Sequence, residues 1–140
     1  MGSFNDYLEN AALNHIFGKA TLTTPNIYVG LAVAAISDAD TGTTIKAGGT
    51  TIEVTGGGYA RALTSSGHWN NASGGSMSNV STVTFASSTG NWGTIINFFL
   101  ADAVNSLANI LAYSSVQTAQ AVASDNIVQF AVGAISVTLA

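Results

Sequence analysis

Two serines and a histidine are the first residues whose types and spacing suggest chemistry. Ser65, Ser66 and His68 stand within four positions of one another, and with a distant aspartate they would have the parts of a nucleophilic hydrolase site. The Gly-x-Ser-x-Gly elbow that exposes such a serine is missing from the chain. Serines are abundant here, so proximity to His68 is expected by chance. We predict no catalytic residues and keep an envelope hydrolase acting through His68 as a third alternative.

The sequence suggests a metal site at one place, but the residues there do not fit the ligand spacing of a calcium-binding loop. Asp38 and Asp40 have the separation of two calcium ligands, but an EF-hand loop also needs a third oxygen ligand and a glutamate at position twelve. Those positions are Gly42 and Gly49 in this chain. The absence of cysteine excludes thiolate zinc sites. We therefore expect a solvated loop and no bound metal.

Three consecutive glycines, at 56–58, raise the question of a phosphate-binding loop. They lack the Gly-x-Gly-x-x-Gly spacing, and no Lys followed by Ser or Thr comes after them. The sequence predicts a tight turn with positive φ angles and no cofactor site.

Arg61 is the charged residue with the most informative surroundings. Alternation along a strand places Tyr59, Arg61 and Leu63 on one face. We predict that Arg61 forms a partly buried ion pair, either with Asp102 at the end of the most apolar run or with Glu53. The alternative is an exposed arginine at a strand edge.

An amphipathic helix is predicted over residues 1–18, with Ser3 as N-cap, Asp6 completing a capping box and Gly18 just past its end. Its apolar stripe consists of Phe4, Leu8, Ala11, Ala12, His15 and Ile16. Such a stripe must pack on the protein's own sheet or on a neighbouring subunit. Phe4, Leu8 and His15 are therefore candidate partner contacts.

The two tryptophans receive different predictions. Trp92 opens the most apolar strand and is expected in the core, whereas Trp69 lies in a polar loop over 65–79. Tryptophan is enriched where proteins meet, so Trp69 joins the candidate partner contacts. Stacking on a sugar is the alternative for an exposed aromatic ring.

The rest of the chain alternates short β-rich runs with turn residues. Strands are predicted at 26–33, 51–54, 59–64, 80–85, 95–101, 109–115, 126–132 and 134–139, with loops over 37–50 and 65–79. This spacing is typical of a mainly β, antiparallel sandwich or barrel-like domain. We predict a single domain over 1–140, with the helix at 1–18 and the β domain at 26–140.

Composition narrows the classes of partner. Only 7 % of the 140 residues are charged, and three cationic side chains with a net charge of −4 cannot neutralise many phosphates. We expect no nucleic acid, and no membrane contact, because no apolar run reaches the 18 or so residues of a membrane span. A surface with so few charges does little to keep copies apart. It suits a subunit packed among neighbours.

Several segments in order resemble a family of small tailed-phage virion proteins, described as tail-fibre-like or capsid decoration proteins. The matching segments are 5–10, 27–31, 53–61, 92–95, 102–103 and 130–139, and Gly-Gly-Gly-Tyr-Ala-Arg at 56–61 is the most specific part. The likeness departs at 104–109, where the family has a glycine-rich hairpin turn. We expect a reshaped turn there.

The resemblance implies a virion structural protein without enzymatic activity or cofactor. Our first hypothesis is an outer-capsid cement protein that stabilises contacts between shell subunits. Its partners would be the major capsid protein or other virion subunits. It would form a homo-oligomer, with a trimer favoured, and assemble into the virion in the host bacterial cytoplasm. The alternative is a tail or fibre module that binds a host receptor, such as a glycan, through the loops at 37–50 or 65–79.

Overall fold

The fold is mainly β and antiparallel, with one longer helix near the N-terminus, which confirms the predicted class. A computed structural model of the chain describes residues 3–46 and 52–139. The strands are β1 Ser3–Phe4, β2 Ile27–Ala32, β3 Ala62–Thr64, β4 Ser76–Ser78, β5 Val83–Thr84, β6 Gly93–Ala101, β7 Ile110–Val122, β8 Gln129–Phe130 and β9 Ser136–Thr138. The helices are α1 Asp6–Ile16 and α2 Gly42–Lys46, with a 3-10 turn at Ser66–His68.

A five-stranded antiparallel sheet organises the protein in the order β1-β7-β6-β2-β3. Its middle strand is β6, as the apolar run at 95–101 predicts, and β6 pairs with β7 on one side and β2 on the other. Phe99 is opposite Gly30 of β2 and opposite Tyr113 of β7. The ladder between β6 and β7 is interrupted between Ile95 and Asn97. Beyond the predicted end at residue 115, β7 continues to Val122.

Two short sheets, β4 with β9 and β5 with β8, pack on one face of the large sheet. Val83, Phe85 and Ile135 from this layer share a core with Leu31 and Phe98 from the large sheet. The opposite face packs on α2 and the turn before β7 through a second apolar cluster, which consists of Ala32, Ile36, Ile45, Phe99, Ala101, Ala108 and Ile110. The large sheet is therefore covered on both sides, which explains why β2 and β6 are apolar on both faces.

The start of α1 differs from its prediction. Asn5, not Ser3, is the N-cap, and its side-chain Oδ1 accepts a hydrogen bond from Tyr7 N at 3.1 Å. Ser3 and Phe4 instead pair with Tyr113 and Ala112 of β7 as an edge strand. Pairing with the sheet outweighs the capping pattern, because it gives the backbone groups of these two residues hydrogen-bond partners. The first N–H groups of a helix have no partner within the helix.

The end of α1 matches its prediction. Gly18 follows the C-cap with a φ of +68°, and Lys19 N donates to Asn14 O at 2.7 Å. This is a Schellman motif, in which the left-handed residue is normally glycine. The three glycines at 56–58 also have positive φ angles, from +54° to +75°, as predicted.

The two predicted loops contain regular structure. The first, over 37–50, contains α2, and its last four residues lie outside the described part of the chain, as does Thr51 of the predicted strand at 51–54. The second, over 65–79, contains the 3-10 turn and β4, which pairs with β9. Within the described ranges, no helix has the length and apolar character needed to cross a membrane. The division into one domain over 1–140 stays a prediction.

Candidate functional site

Three of the four predicted partner contacts line one apolar cleft of about 340 Å³ between α1 and the β4–β9 sheet. These are Phe4, Leu8 and Trp69. The other lining residues are Ile27, Ala72, Gly75, Ser76, Met77, Leu100, Leu111, Ala112, Val137 and Leu139. Among these described lining residues none is charged, so the cleft suits an apolar occupant.

Asn5 fixes the wall formed by Phe4 and Leu8. Its side chain is almost fully buried, caps α1, and donates through Nδ2 to Asp40 O at 3.0 Å. Its backbone N donates to Leu111 O at 3.0 Å. One residue therefore ties the helix start to the sheet and to the loop before α2.

Trp69 forms part of the opposite wall and is held in place. Its Nε1 donates to Thr64 Oγ1 at 3.1 Å, and its backbone bridges Asn79. The ring is half-buried and packs on the main core. The role of Trp69 as a partner contact stays a prediction. The sequence placed it in a polar loop because β4–β9 pairing joins residues about sixty positions apart.

His15 lies elsewhere, exposed in the last turn of α1, with Nδ1 accepting a hydrogen bond from Leu22 N at 3.3 Å. No side chain of α1, all of which is described, is fully buried. The predicted stripe is therefore divided: Leu8 packs on the core, while Ile16 is 73 % exposed. The stripe is partly buried as far as Ala12, and the last turn of the helix is exposed.

A group of exposed apolar side chains at the end of α1 was missed from the sequence. Leu13, Ile16 and Phe17 are 55 %, 73 % and 72 % exposed. Their spacing of three and four positions makes them neighbours on a helix surface. Leu13 and Phe17 are large apolar residues outside the predicted stripe. Their position there was the sequence signal that could have indicated exposed apolar side chains. We call these three residues the apolar knob.

Arg61 forms a buried ion pair with Glu53. Arg61 Nε and Nη2 donate to Glu53 Oε1 and Oε2, each at 2.8 Å, and both side chains are almost completely buried. Arg61 Nη1 also donates to Ala103 O at 2.6 Å, and the guanidinium lies 5.0 Å from the centre of the Phe99 ring. The pair thus anchors the turn between β6 and β7.

Asp102, the other predicted partner of Arg61, has a different role. Its carboxylate accepts hydrogen bonds from Asn109 N at 2.7 Å and from Asn109 Nδ2 at 2.6 Å. The carboxylate thereby closes the β6–β7 turn. Of the two predicted partners of Arg61, the structure selects Glu53 and not Asp102, because the bridge between Glu53 and Ala32 brings the glutamate to Arg61.

Tyr59 completes the buried polar cluster. Its hydroxyl accepts from Leu31 N at 2.8 Å and donates to Glu53 Oε1 at 3.1 Å. Burial, and then the neighbouring Glu53 carboxylate, raise the pKa of the Tyr59 hydroxyl above its usual value. Lys46 reaches the same carboxylate, with 3.6 Å between Nζ and Oε2.

Ser65 and His68 contact each other in a local turn. Ser65 Oγ lies 3.0 Å from His68 Nδ1, and the same nitrogen accepts from Ser65 N at 3.1 Å. This is a capping box around the 3-10 turn. The nitrogen that would accept the serine proton, His68 Nδ1, thus already accepts a hydrogen bond from the Ser65 backbone amide.

The acidic loop residue Asp40 is likewise engaged in local structure. Ser37 N and Ser37 Oγ donate to Asp40 Oδ2 at 2.7 and 2.9 Å, and Thr44 Oγ1 donates to Oδ1 at 2.8 Å. Burial raises the pKa of the Asp40 carboxyl, but these hydrogen bonds outweigh it and hold the pKa below its usual value. Over residues 3–46 and 52–139, no group of three or more His, Asp or Glu side chains could hold a metal ion.

A protein-family model matches nearly the whole chain. The family is described as Podophage GP4 fiber I protein gp80, and its model matches residues 3–138. The chain belongs to this family. Membership of the fiber I protein family confirms the resemblance to tailed-phage virion proteins. The match includes the apolar knob, the Arg61–Glu53 pair and the cleft lining except Leu139.

A search of curated proteins found no match. Membership of the fiber I family identifies the protein as a structural component of the bacteriophage virion, associated there with other virion components.

Proposed function

We propose that this chain is a structural subunit of the phage fibre, joined to neighbouring subunits through its apolar cleft. The observation that carries the proposal is the cleft itself, which combines Phe4, Leu8 and Trp69 in a lining without a charged side chain. Family membership supplies the fibre context. Apolar contact is worth roughly 25 cal/mol per Å² removed from water, so filling such a surface stabilises an assembly.

The polar residues support a structural role. Ser65 and His68 cap a turn, Glu53 and Arg61 pair in the interior, and Asp102 closes a hairpin turn. Each group that could be suggested for catalysis has a local structural task. We accordingly propose that the chain has no enzymatic activity.

The cement role remains the second candidate, because an outer-capsid protein would use the same low-charge, apolar contacts. A ligand that binds only the assembled lattice stabilises it by mass action at every site. The fibre role is proposed first because the family is described as one of fibre proteins.

Cryo-electron microscopy of the intact particle, combined with quantitative mass spectrometry of copy number, tests the proposal. We expect density for the chain in the fibres and a copy number far below that of the major capsid protein. Density across the shell, with hundreds of copies per particle, would instead assign the cement role.

Receptor binding is tested separately by adding purified chain to host cells before the phage. We expect phage adsorption to be unchanged, because the proposed surface packs against other subunits. Competition with adsorption would move the function to the receptor-binding alternative.

A further inference from the structure

The cleft and the apolar knob lie at opposite ends of α1. Phe4 and Leu8, at the start of the helix, line the cleft, whereas Ile16 and Phe17 are at its end. The helix has 11 residues, which at 1.5 Å per residue gives a length of about 16 Å. The knob of one molecule therefore cannot enter the cleft of the same molecule.

The size of the cleft suits two apolar side chains. An apolar cavity of about 150 Å³ is large enough to bind benzene. The cleft, at about 340 Å³, thus has room for the ring of a phenylalanine together with a second aliphatic side chain. Ile16 and Phe17 are adjacent in the sequence and are about equally exposed.

The charges around the two features are complementary. Asp6 and Glu9 lie in the first turn of α1, the same end of the helix as Phe4 and Leu8, while His15 lies in the last turn. Lys19 follows the knob directly after Gly18. The helix dipole has the opposite sign at each end, positive at the N-terminus and negative at the C-terminus, so the side-chain charges and not the dipole supply this difference. A contact between the end of one helix and the start of another brings Lys19 towards acidic side chains.

We propose that copies of this chain associate head to tail, with Ile16 and Phe17 of one copy seated in the apolar cleft of the next. The partner is a second copy because the same chain supplies an uncharged cleft, an exposed apolar knob of fitting size, and side-chain charges of opposite sign at the two ends of α1. This inference rests on the proposed role as a packed structural subunit and names the partner of that cleft.

A head-to-tail contact has a structural consequence. It joins two different surfaces, so a dimer keeps a free cleft at one end and a free knob at the other. Further copies can add at both ends, and the assembly either closes into a ring or extends as a filament. Both outcomes suit a fibre, which needs contacts that repeat along or around an axis.

Cross-linking tests this contact sharply, because the natural chain has no cysteine. Ala20→Cys places a thiol next to the knob and Ala72→Cys places one at the cleft; both positions are exposed. The two variants are co-expressed and treated with a short bismaleimide. We expect a cross-linked dimer from the mixture and far less from either variant alone, since a head-to-tail contact pairs unlike positions.

Two controls accompany the cross-linking. Leu107→Cys, at a site that is 82 % exposed on the β6–β7 turn, replaces Ala20→Cys and should give no dimer with Ala72→Cys. Phe17→Ser in the Ala20→Cys chain should lower the association constant about tenfold or more, because burial of the ring is lost. Phe17 is exposed, so thermal unfolding should show that this variant still folds.

Three results would overturn the inference: no dimer from the mixture, equal dimer with Leu107→Cys, or a yield unchanged by Phe17→Ser. None of them bears on where the chain sits in the particle. Fibre density in the particle with failed cross-linking would retain the proposed function and reject the head-to-tail contact. Capsid density with successful cross-linking would reject the fibre role and retain the head-to-tail contact.

Discussion

Arg61 and Glu53 are joined by two parallel hydrogen bonds of 2.8 Å inside the protein, on the side of the sheet that carries Phe99. Both side chains are almost completely buried. Arg61 also donates to Ala103 O, so the pair connects the segment beside β2 with the turn after β6. Two buried charges persist only when each neutralises the other and the remaining donors have acceptors.

Replacing Arg61 with methionine should therefore destabilise the protein strongly. The change keeps much of the volume but leaves the Glu53 carboxylate buried without its main partner, which costs about 3–5 kcal/mol. The free energy of unfolding, from urea titration of wild type and variant, measures the loss. The matched control is Lys46→Met, which removes the partly exposed cation near the same carboxylate and should cost at most about 1 kcal/mol. Equal losses for the two variants would contradict the buried pair.

The Tyr59 hydroxyl should make stability depend on pH at high pH. The usual tyrosine pKa of about 10 applies to the unfolded chain, and burial beside Glu53 raises the pKa in the folded protein. Above about pH 10 the unfolded chain releases a proton that the folded protein retains, so the free energy of unfolding falls as pH rises. The slope from this group approaches about 1.4 kcal/mol per pH unit, and below pH 10 its contribution is constant.

Tyr59→Phe isolates that dependence. The variant should be less stable at neutral pH by about 1–3 kcal/mol, because Leu31 N loses its acceptor. Its stability should also decline less steeply than wild type above pH 10. Urea titrations from pH 8 to 11 check both effects, and parallel curves for the two proteins would refute the assignment.

Local signals in the sequence predicted the parts of this fold that depend on backbone conformation and on local apolar content. The three glycines at 56–58 and Gly18 have the positive φ angles that only glycine adopts at low cost. The most apolar run became the central strand β6. Trp92 is buried, and its Nε1 donates to Gly57 O at 2.7 Å.

Features that depend on pairing between distant segments could not be predicted in this way. Ser3 and Phe4 carry a capping pattern, and only the nearby edge of β7 makes them a strand. The cleft forms where α1 meets the β4–β9 sheet, so its lining residues are far apart in the sequence. Which acid pairs with Arg61 also depended on contacts between distant segments, because Glu53 and Asp102 both stood at plausible positions. The bridge between Ala32 of β2 and Glu53 brings Glu53 to the arginine.

Gly30 should not tolerate a methyl group. A Cβ there would overlap the ring of Phe99 on the neighbouring strand, and that ring is completely buried. Gly30→Ala should lower the free energy of unfolding by about 1–3 kcal/mol, the usual cost of overpacking. Circular dichroism during urea unfolding measures it.

Two further variants distinguish overlap from a general effect of replacing glycine. Gly67→Ala introduces a methyl group where the nearest atom, Ser65 Oγ, is 3.8 Å away, and should change stability by less than about 0.5 kcal/mol. Phe99→Leu combined with Gly30→Ala should be more stable than the sum of the two single losses predicts. Additive losses would show that the ring is not what the new methyl group meets.

Asn5 should control the position of α1 and with it the shape of the cleft. Asn5→Ala removes both the helix cap to Tyr7 N and the hydrogen bond to Asp40 O. Loss of an N-cap costs about 0.5–2 kcal/mol, and we expect the upper half of that range because the residue is buried. Asn5→Asp keeps an oxygen for the cap but has no amide donor, so it should fall between wild type and Asn5→Ala. Asn10→Ala, on the exposed side of the same helix, is the control and should leave the urea midpoint almost unchanged. If Asn5→Ala matched Asn10→Ala, the cap and its link to the loop before α2 would have no role in holding the helix.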